Sequence, residues 1–284
     1  MPAAGGPVPF TIGASPAIRG ESAGEGPPVL LCHGITATRR YVLHGSRALE
    51  RAGHTVITYD ARGHGDSDPA PTGQGYGYAE MVDDLEAVIG ATVGARPLAL
   101  AGHSMGAHTA VAFALRHPER VTGLVVIGPV YAGEISPAAI SYWDGLADAL
   151  DRGGVDGFLD YIDREQGIDD AWREKVLRFT RSRMLLHRHP AAVVDALHQV
   201  ARSRPFESMA SLEGLDVPAL VIASNDEADP GHPQAVAAAY AERLPRARLI
   251  VEGEGESPLA WQGGRIAREI AFFCALPEVV ERFG

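Results

Sequence analysis

Short, almost purely apolar runs punctuate this chain, each ending on glycine, proline, histidine or a charged residue. Val29 to His33, Thr55 to Asp60, Leu98 to His103 and Val121 to Ile127 are continuous rather than alternating. That is the pattern of parallel strands buried on both faces. The periodicity of Met81 to Val93 predicts a helix between two of them. Farther along, Ala219 to Ala223 and Leu249 to Glu252 predict two more strands, with helices over Gln234 to Leu244 and Gly264 to Cys274. Strands and helices in alternation imply an α/β fold with a mostly parallel central sheet. The Gly/Pro-rich leader predicts one short antiparallel pair.

The stretch from about Val130 to Leu212 carries no strand pattern. Its apolar residues fall instead at helical spacing, in the groups Trp143, Leu146 and Leu150, then Trp172, Val176 and Phe179, then Val193, Leu197 and Val200. The expected organisation is a core formed by residues 1–129 and 213–284, with a helical cap, 130–212, inserted into it. Arg178, Arg181, Arg183, His187, Arg188 and His189 crowd one part of that insertion. They read as a solvated helix face on an acidic protein, with a site for an acidic substrate group as the alternative.

Candidate chemistry begins at Gly102-His103-Ser104-Met105-Gly106, which joins the apolar run Pro97 to Ala101 to the alanine-rich stretch Ala107 to Leu115. A G-x-S-x-G turn between a strand and a helix lifts a serine hydroxyl above the sheet, and its glycines allow neighbouring backbone to come close. Ser104 is therefore the candidate nucleophile. Two upstream segments extend the pattern: the strand ending in His33-Gly34, and the loop Asp60-Ala61-Arg62-Gly63-His64-Gly65-Asp66-Ser67. With these three parts in this order the chain resembles the α/β-hydrolase superfamily over nearly its whole length. The resemblance implies an α/β-hydrolase fold and an oxyanion hole made by the backbone N–H groups of Ile35 and Met105. His33 is read as ordering its loop, and Asp60, Arg62 and Ser67 as holding the loop after the second main strand.

The resemblance also places a carboxylate after the strand that follows the cap, where Asp229 matches best and Asp226 is the alternate. A catalytic histidine is expected after the last strand, in the turn Val251 to Pro258, where Glu256 stands instead. No histidine follows His232. A carboxylate is a poorer base than imidazole by roughly 3 kcal/mol, from reference pKa values of about 4.3 and about 6.5, and its charge opposes a developing oxyanion. Three readings stay open. His232, or His198 from the cap, supplies the base of a serine hydrolase acting on an ester, thioester or lactone. Alternatively Glu256 and Asp229 act as acid and base in lyase, isomerase or cyclase chemistry without an acyl-enzyme. In the third, the protein is a catalytically inactive binder of small molecules.

Composition narrows the partners. Across 284 residues, 46% are apolar and 21% charged, enough for a well-buried core. A net charge of −11 without any dense Lys/Arg tract argues against nucleic acid. No apolar run approaches the roughly 20 residues of a membrane span, and Met1 to Gly13 lacks the pattern of a signal peptide, so the default location is cytoplasmic. Cys32 and Cys274 read as small buried hydrophobes, and none of the eleven histidines has metal-ligand spacing. The expectation is no cofactor, no metal and a partly hydrophobic small-molecule substrate, with homo-oligomerisation left open.

Overall fold

The computed structural model describes residues 6–227 and 229–283; Met1 to Gly5, Ala228 and Gly284 lie outside them. Its strands are β1 (Val8–Ile12), β2 (Ile18–Ala23), β3 (Pro28–Cys32), β4 (Thr55–Tyr59), β5 (Leu98–His103), β6 (Val121–Ile127), β7 (Ala219–Ala223) and β8 (Ala247–Val251). They form one sheet in the order β1-β2-β4-β3-β5-β6-β7-β8. The pair β1–β2 is antiparallel, as the leader predicts, and β2 also runs antiparallel to β4. All remaining neighbours are parallel. The chain steps from β3 out to β4 and then back past β3 to β5. The carboxyl ends of β3 and β5 therefore flank the point where the strand order reverses, the usual crevice for ligands in such sheets.

Helices α1 (Ala48–Arg51), α2 (Tyr78–Thr92), α3 (Met105–Arg116), α4 (Pro137–Glu165), α5 (Asp170–Met184), α6 (Pro190–Val200), α7 (Gln234–Arg243), α8 (Gly263–Cys274) and α9 (Pro277–Val280) complete the described chain. Successive residues of β3 divide between the two faces. Leu30 and Cys32 join the core formed with α2, α3 and α7, whereas Val29 and Leu31 join that formed with α1, α8 and α9. Helices on both faces explain why the strands read as unbroken apolar runs. Both cysteines are buried free thiols, held up to about 12 by burial. No described helix is long and apolar enough to cross a membrane.

The element bounds differ from expectation where a tertiary contact sets them. Helix α2 begins at Tyr78 because Ser203, from the segment after α6, accepts the Tyr78 N–H at 2.8 Å. Strand β8 begins at Ala247 because it is an edge strand, where Arg248 can turn outward to Glu278 at 2.8 Å. Between β6 and β7 stand α4, α5 and α6, and α4 is broken at Gly154, whose φ of 58° no helix interior adopts.

Buried imidazoles pin the loops at the carboxyl edge of the sheet. Nε2 of His33 accepts the Ala61 N–H at 2.9 Å. Nε2 of His108 accepts the N–H groups of Val130 and Tyr131 at 3.0 and 3.2 Å. Nδ1 of His187 accepts the Gly65 N–H at 3.1 Å. Each accepting nitrogen needs its lone pair, so each ring is neutral. Asp60 does the same work with charge: it accepts the N–H groups of Arg39 at 2.7 Å and Asp66 at 3.0 Å, and pairs with the Arg39 guanidinium. Arg62 is engaged by Asp84 at 2.7 Å, and Ser67 Oγ donates to the Asp60 carbonyl at 2.6 Å. These side chains hold the loop itself.

Two predictions follow from this framework. A Cβ on Gly106 would lie 2.3 Å from the Cys32 carbonyl oxygen. Gly106→Ala should therefore cost about 3 kcal/mol or more in denaturant unfolding. Gly90, inside α2 with nothing within 4 Å of its would-be Cβ, should tolerate alanine with a gain of about 0.5–1 kcal/mol. The second concerns acid. Burial, the leading cause for each, holds His33, His108 and His187 down to about 3, against about 6.5 in the unfolded chain. A depressed folded value means their stabilisation is complete above about pH 6.5 and is lost as pH falls toward about 3. The urea midpoint should already decline between about pH 6.5 and about pH 5, above the range of ordinary carboxylates; a flat midpoint across that interval contradicts the neutral-imidazole account.

Candidate active site

The turn between β5 and α3 leaves no room for a side chain at either of its glycines. A Cβ at Gly102 would stand 2.1 Å from the Gly106 carbonyl oxygen. The same crowding drives Ser104 to φ 53° and ψ −116°, a conformation rare for residues other than glycine. Its N–H is held by the Ile127 carbonyl on β6 at 2.9 Å. Ser104 is buried at 6% exposure, and its Oγ has no hydrogen-bond partner among the described residues. The loop after β3 lies alongside: a Cβ on Gly34 would sit 3.4 Å from the Ser104 Cβ. Among the described residues the N–H groups of Ile35 and Met105 have no protein acceptor. They belong to the two segments that meet at Ser104, which suits them to a developing oxyanion.

The loop after β7 brings a carboxylate and an imidazole to the same place. His232 Nδ1 lies 2.9 Å from Asp229 Oδ1, with the His232 N–H also held by the Asp229 carbonyl at 3.0 Å. Burial alone would raise the Asp229 carboxyl, but His232, His103 and Arg183 together hold it below its ordinary value. The His232 ring packs on that of His103 with centroids 4.9 Å apart, and a Cβ on Gly128 would touch it at 3.3 Å. Burial, with His232 adding to it, keeps His103 well below the usual imidazole range, so that ring is neutral. Its Nε2 is buried without a partner.

The other sequence candidates lie elsewhere. Asp226 accepts the Gln234 N–H at 2.7 Å, capping α7. His198 pairs with Asp144 at 2.7 Å on the inserted helices and lines none of the cavity around Ser104. Glu256 stands on an exposed turn, its carboxylate 2.7 Å from Arg265 and 3.2 Å from the Gly253 N–H. Arg265, then the Gly253 N–H, holds it below the ordinary carboxyl value, and it shares no cavity with Asp229. The alternative that pairs Glu256 with Asp229 is not what the fold brings together: the turn after β8 aims the Glu256 side chain at solvent. Glu252 is the buried carboxylate there, binding the N–H groups of Asn225 at 2.5 Å and Leu259 at 3.0 Å and so tying the turns after β7 and β8 together. From the same region Trp261 enters the cavity, with its ring 6.0 Å from that of Phe179.

Ser104, Asp229 and His232 share a cavity of about 110 Å³. Leu146, Phe158 and Ile162 from α4 and Val176 and Phe179 from α5 make much of its wall. Ser104 also borders a second cavity, of about 480 Å³, reached past Met105, Val130 and Tyr131. The basic cluster of the insertion is split by the fold. Arg178, Arg181 and Arg188 are exposed, whereas Arg183 lines the smaller cavity. A signal for this was available, because Arg183 follows Val176, Phe179 and Thr180 at helical spacing and so continues the inward stripe of α5. Among the described residues no group of three or more His, Cys, Asp or Glu side chains is arranged to hold a metal ion.

Comparison with known proteins identifies the fold family. The family model for the alpha/beta hydrolase fold matches residues 27–263. The sn-1-specific diacylglycerol lipase ABHD11 of Mus musculus is 36% identical over 102 residues, which are 36% of this chain and 32% of the lipase. Epoxide hydrolase B of Mycobacterium tuberculosis (strain ATCC 25618 / H37Rv) is 36% identical over 109 residues, 38% of this chain and 30% of that enzyme. The matched stretch thus spans about a third of the length of these curated relatives. A thermophilic esterase from Thermogutta terrifontis, whose structure was solved with malate bound, superposes with a TM-score of 0.76 at 26% identity, covering 95% of this chain and 98% of the esterase. The family match runs from the strand before His33 to the start of α8 and takes in the serine turn, the inserted helices and the Asp229 loop: the chain belongs to the alpha/beta hydrolase fold family.

Proposed function

We propose that the protein is a serine hydrolase that cleaves a carboxylic ester, thioester or lactone, with Ser104 as nucleophile, His232 as general base and Asp229 as its orienting carboxylate. The observation that carries this reading is the His232–Asp229 contact of 2.9 Å beside the strained Ser104 turn, in one cavity. Asp229 occupies Nδ1, which leaves Nε2 to take the serine proton. Resemblance to a diacylglycerol lipase and an esterase supports ester cleavage.

In this mechanism Ser104 Oγ bonds to the acyl carbon as its proton passes to His232 Nε2. The carbonyl electron pair moves onto oxygen, where the Ile35 and Met105 N–H groups stabilise it. Collapse of the tetrahedral adduct breaks the bond to the leaving oxygen or sulfur, which takes the proton from His232. Water then repeats the sequence on the acyl-enzyme. Asp229, held ionised, favours the imidazolium that forms between the steps. Helices α4, α5 and α6, within residues 130–212, act as a cap whose apolar wall receives a partly hydrophobic substrate.

A fluorophosphonate probe followed by peptide mapping tests the assignment. Stoichiometric labelling of Ser104 is expected, none in Ser104→Ala, and labelling slowed by roughly 100-fold or more in His232→Ala. Ester turnover should fall roughly 1,000-fold or more in Ser104→Ala. A folded wild type that resists the probe, or a His232→Ala variant that labels at the native rate, sinks the proposal. Glu256→Gln, which alters only an exposed ion pair, should leave turnover within about twofold. A large fall in that variant would instead restore Glu256 to the chemistry.

A further inference from the structure

Arg183 is a half-buried cation on the wall of the active-site cavity, without a carboxylate partner. It forms no ion pair within 4.0 Å among the described residues, and its Nε is buried with no hydrogen-bond acceptor. Its one protein acceptor there is Thr180 Oγ1, a neutral hydroxyl one turn back, 3.1 Å from Nη2. The charge reaches the site all the same, because it helps to lower both His103 and Asp229. Asp229, the carboxylate it influences, is committed to His232. Guanidinium groups stay protonated in proteins, and a buried guanidinium N–H without an acceptor is costly. A methionine or leucine on this inward stripe of α5 would fill the same wall at no electrostatic cost.

We propose that Arg183 binds a carboxylate of the substrate, so that the enzyme prefers short acyl esters carrying a second, free carboxylate at the far end of the acyl chain. The proposal rests on the hydrolase reading for its chemistry. The two cavities at Ser104 set the direction. The leaving alcohol must depart and water must enter, which suits the larger cavity of about 480 Å³. The acyl group stays attached to Ser104 between the two steps, which suits the cavity of about 110 Å³. Apolar side chains line that cavity along the acyl chain, and Arg183 is the strong anion donor within it. The planar fork of a guanidinium matches a carboxylate in a two-bond arrangement. Glu134 and Glu165 border the larger cavity instead, which disfavours a second anion on the leaving-group side.

The test compares mono-p-nitrophenyl glutarate with p-nitrophenyl butyrate, whose chains are similar and whose charge differs. In the wild type, kcat/KM for the glutarate half ester should exceed that for butyrate by roughly tenfold or more. Arg183→Met should lower that ratio by roughly tenfold to a hundredfold, and Arg183→Lys should retain part of it. Arg183→Gln serves if the methionine variant does not fold. Glutarate itself, read by quenching of Trp143 and Trp261 fluorescence, should bind Ser104→Ala protein and fail to bind the Ser104→Ala/Arg183→Met double variant. A ratio near one in the wild type, or a ratio unmoved by Arg183→Met, overturns the inference while leaving Ser104 hydrolysis intact. Arginine-dependent glutarate binding without cleavage of either ester would overturn the hydrolase reading and keep the anion site.

Discussion

Backbone against backbone, with no side chain between, is the contact on which the rest of the site depends. The first turn of α3 lies so close to the ends of β3 and β5 that Cβ atoms at 102 and 106 would overlap carbonyl groups. That closeness leaves Ser104 in a conformation few residues adopt, and the surrounding sheet holds it there through the Ile127 carbonyl. The same approach brings the loop after β3 beside the serine. One constraint therefore places the candidate nucleophile and brings both candidate oxyanion donors beside it, without any polar side chain being needed for the purpose.

Around this contact the loops are held by groups that must keep a particular charge. His33, His108 and His187 each accept backbone N–H groups and are neutral, while Asp60 is charged and accepts two. These three imidazoles are thereby spent on architecture. His232 differs in kind. Its side chain is met by a carboxylate rather than by backbone, and it borders the open cavity.

The loops after β7 and β8 show how a site can be supplied from a neighbouring position. The two strands are adjacent in the sheet, so their carboxyl-end loops emerge side by side, and Glu252 ties them together. A residue three places after Asp229 can therefore reach ground near that open to the later loop. The later loop contributes the indole of Trp261 to the cavity wall, and its exposed Glu256 faces Arg265.

The strands and the serine turn were legible in the chain for a physical reason. A strand buried on both faces must be apolar throughout, and a turn with no room for Cβ atoms must be glycine, so both constraints act on consecutive residues. Bounds set by distant partners, such as the Ser203 cap at Tyr78, were not legible, because the determining atom lies far away in sequence. The same holds for the candidate acid and base. Sequence order admitted Asp226, Asp229, His198, His232 and Glu256 alike, and only the packing shows which of them border the cavity with Ser104. Arg183 stands between the two cases, since its helical spacing marks it as inward-facing while its neighbours read as surface charge. Local rules of propensity and sterics determined the framework; the meeting of loops from the ends of separate strands, a property of the closed sheet alone, decided the site.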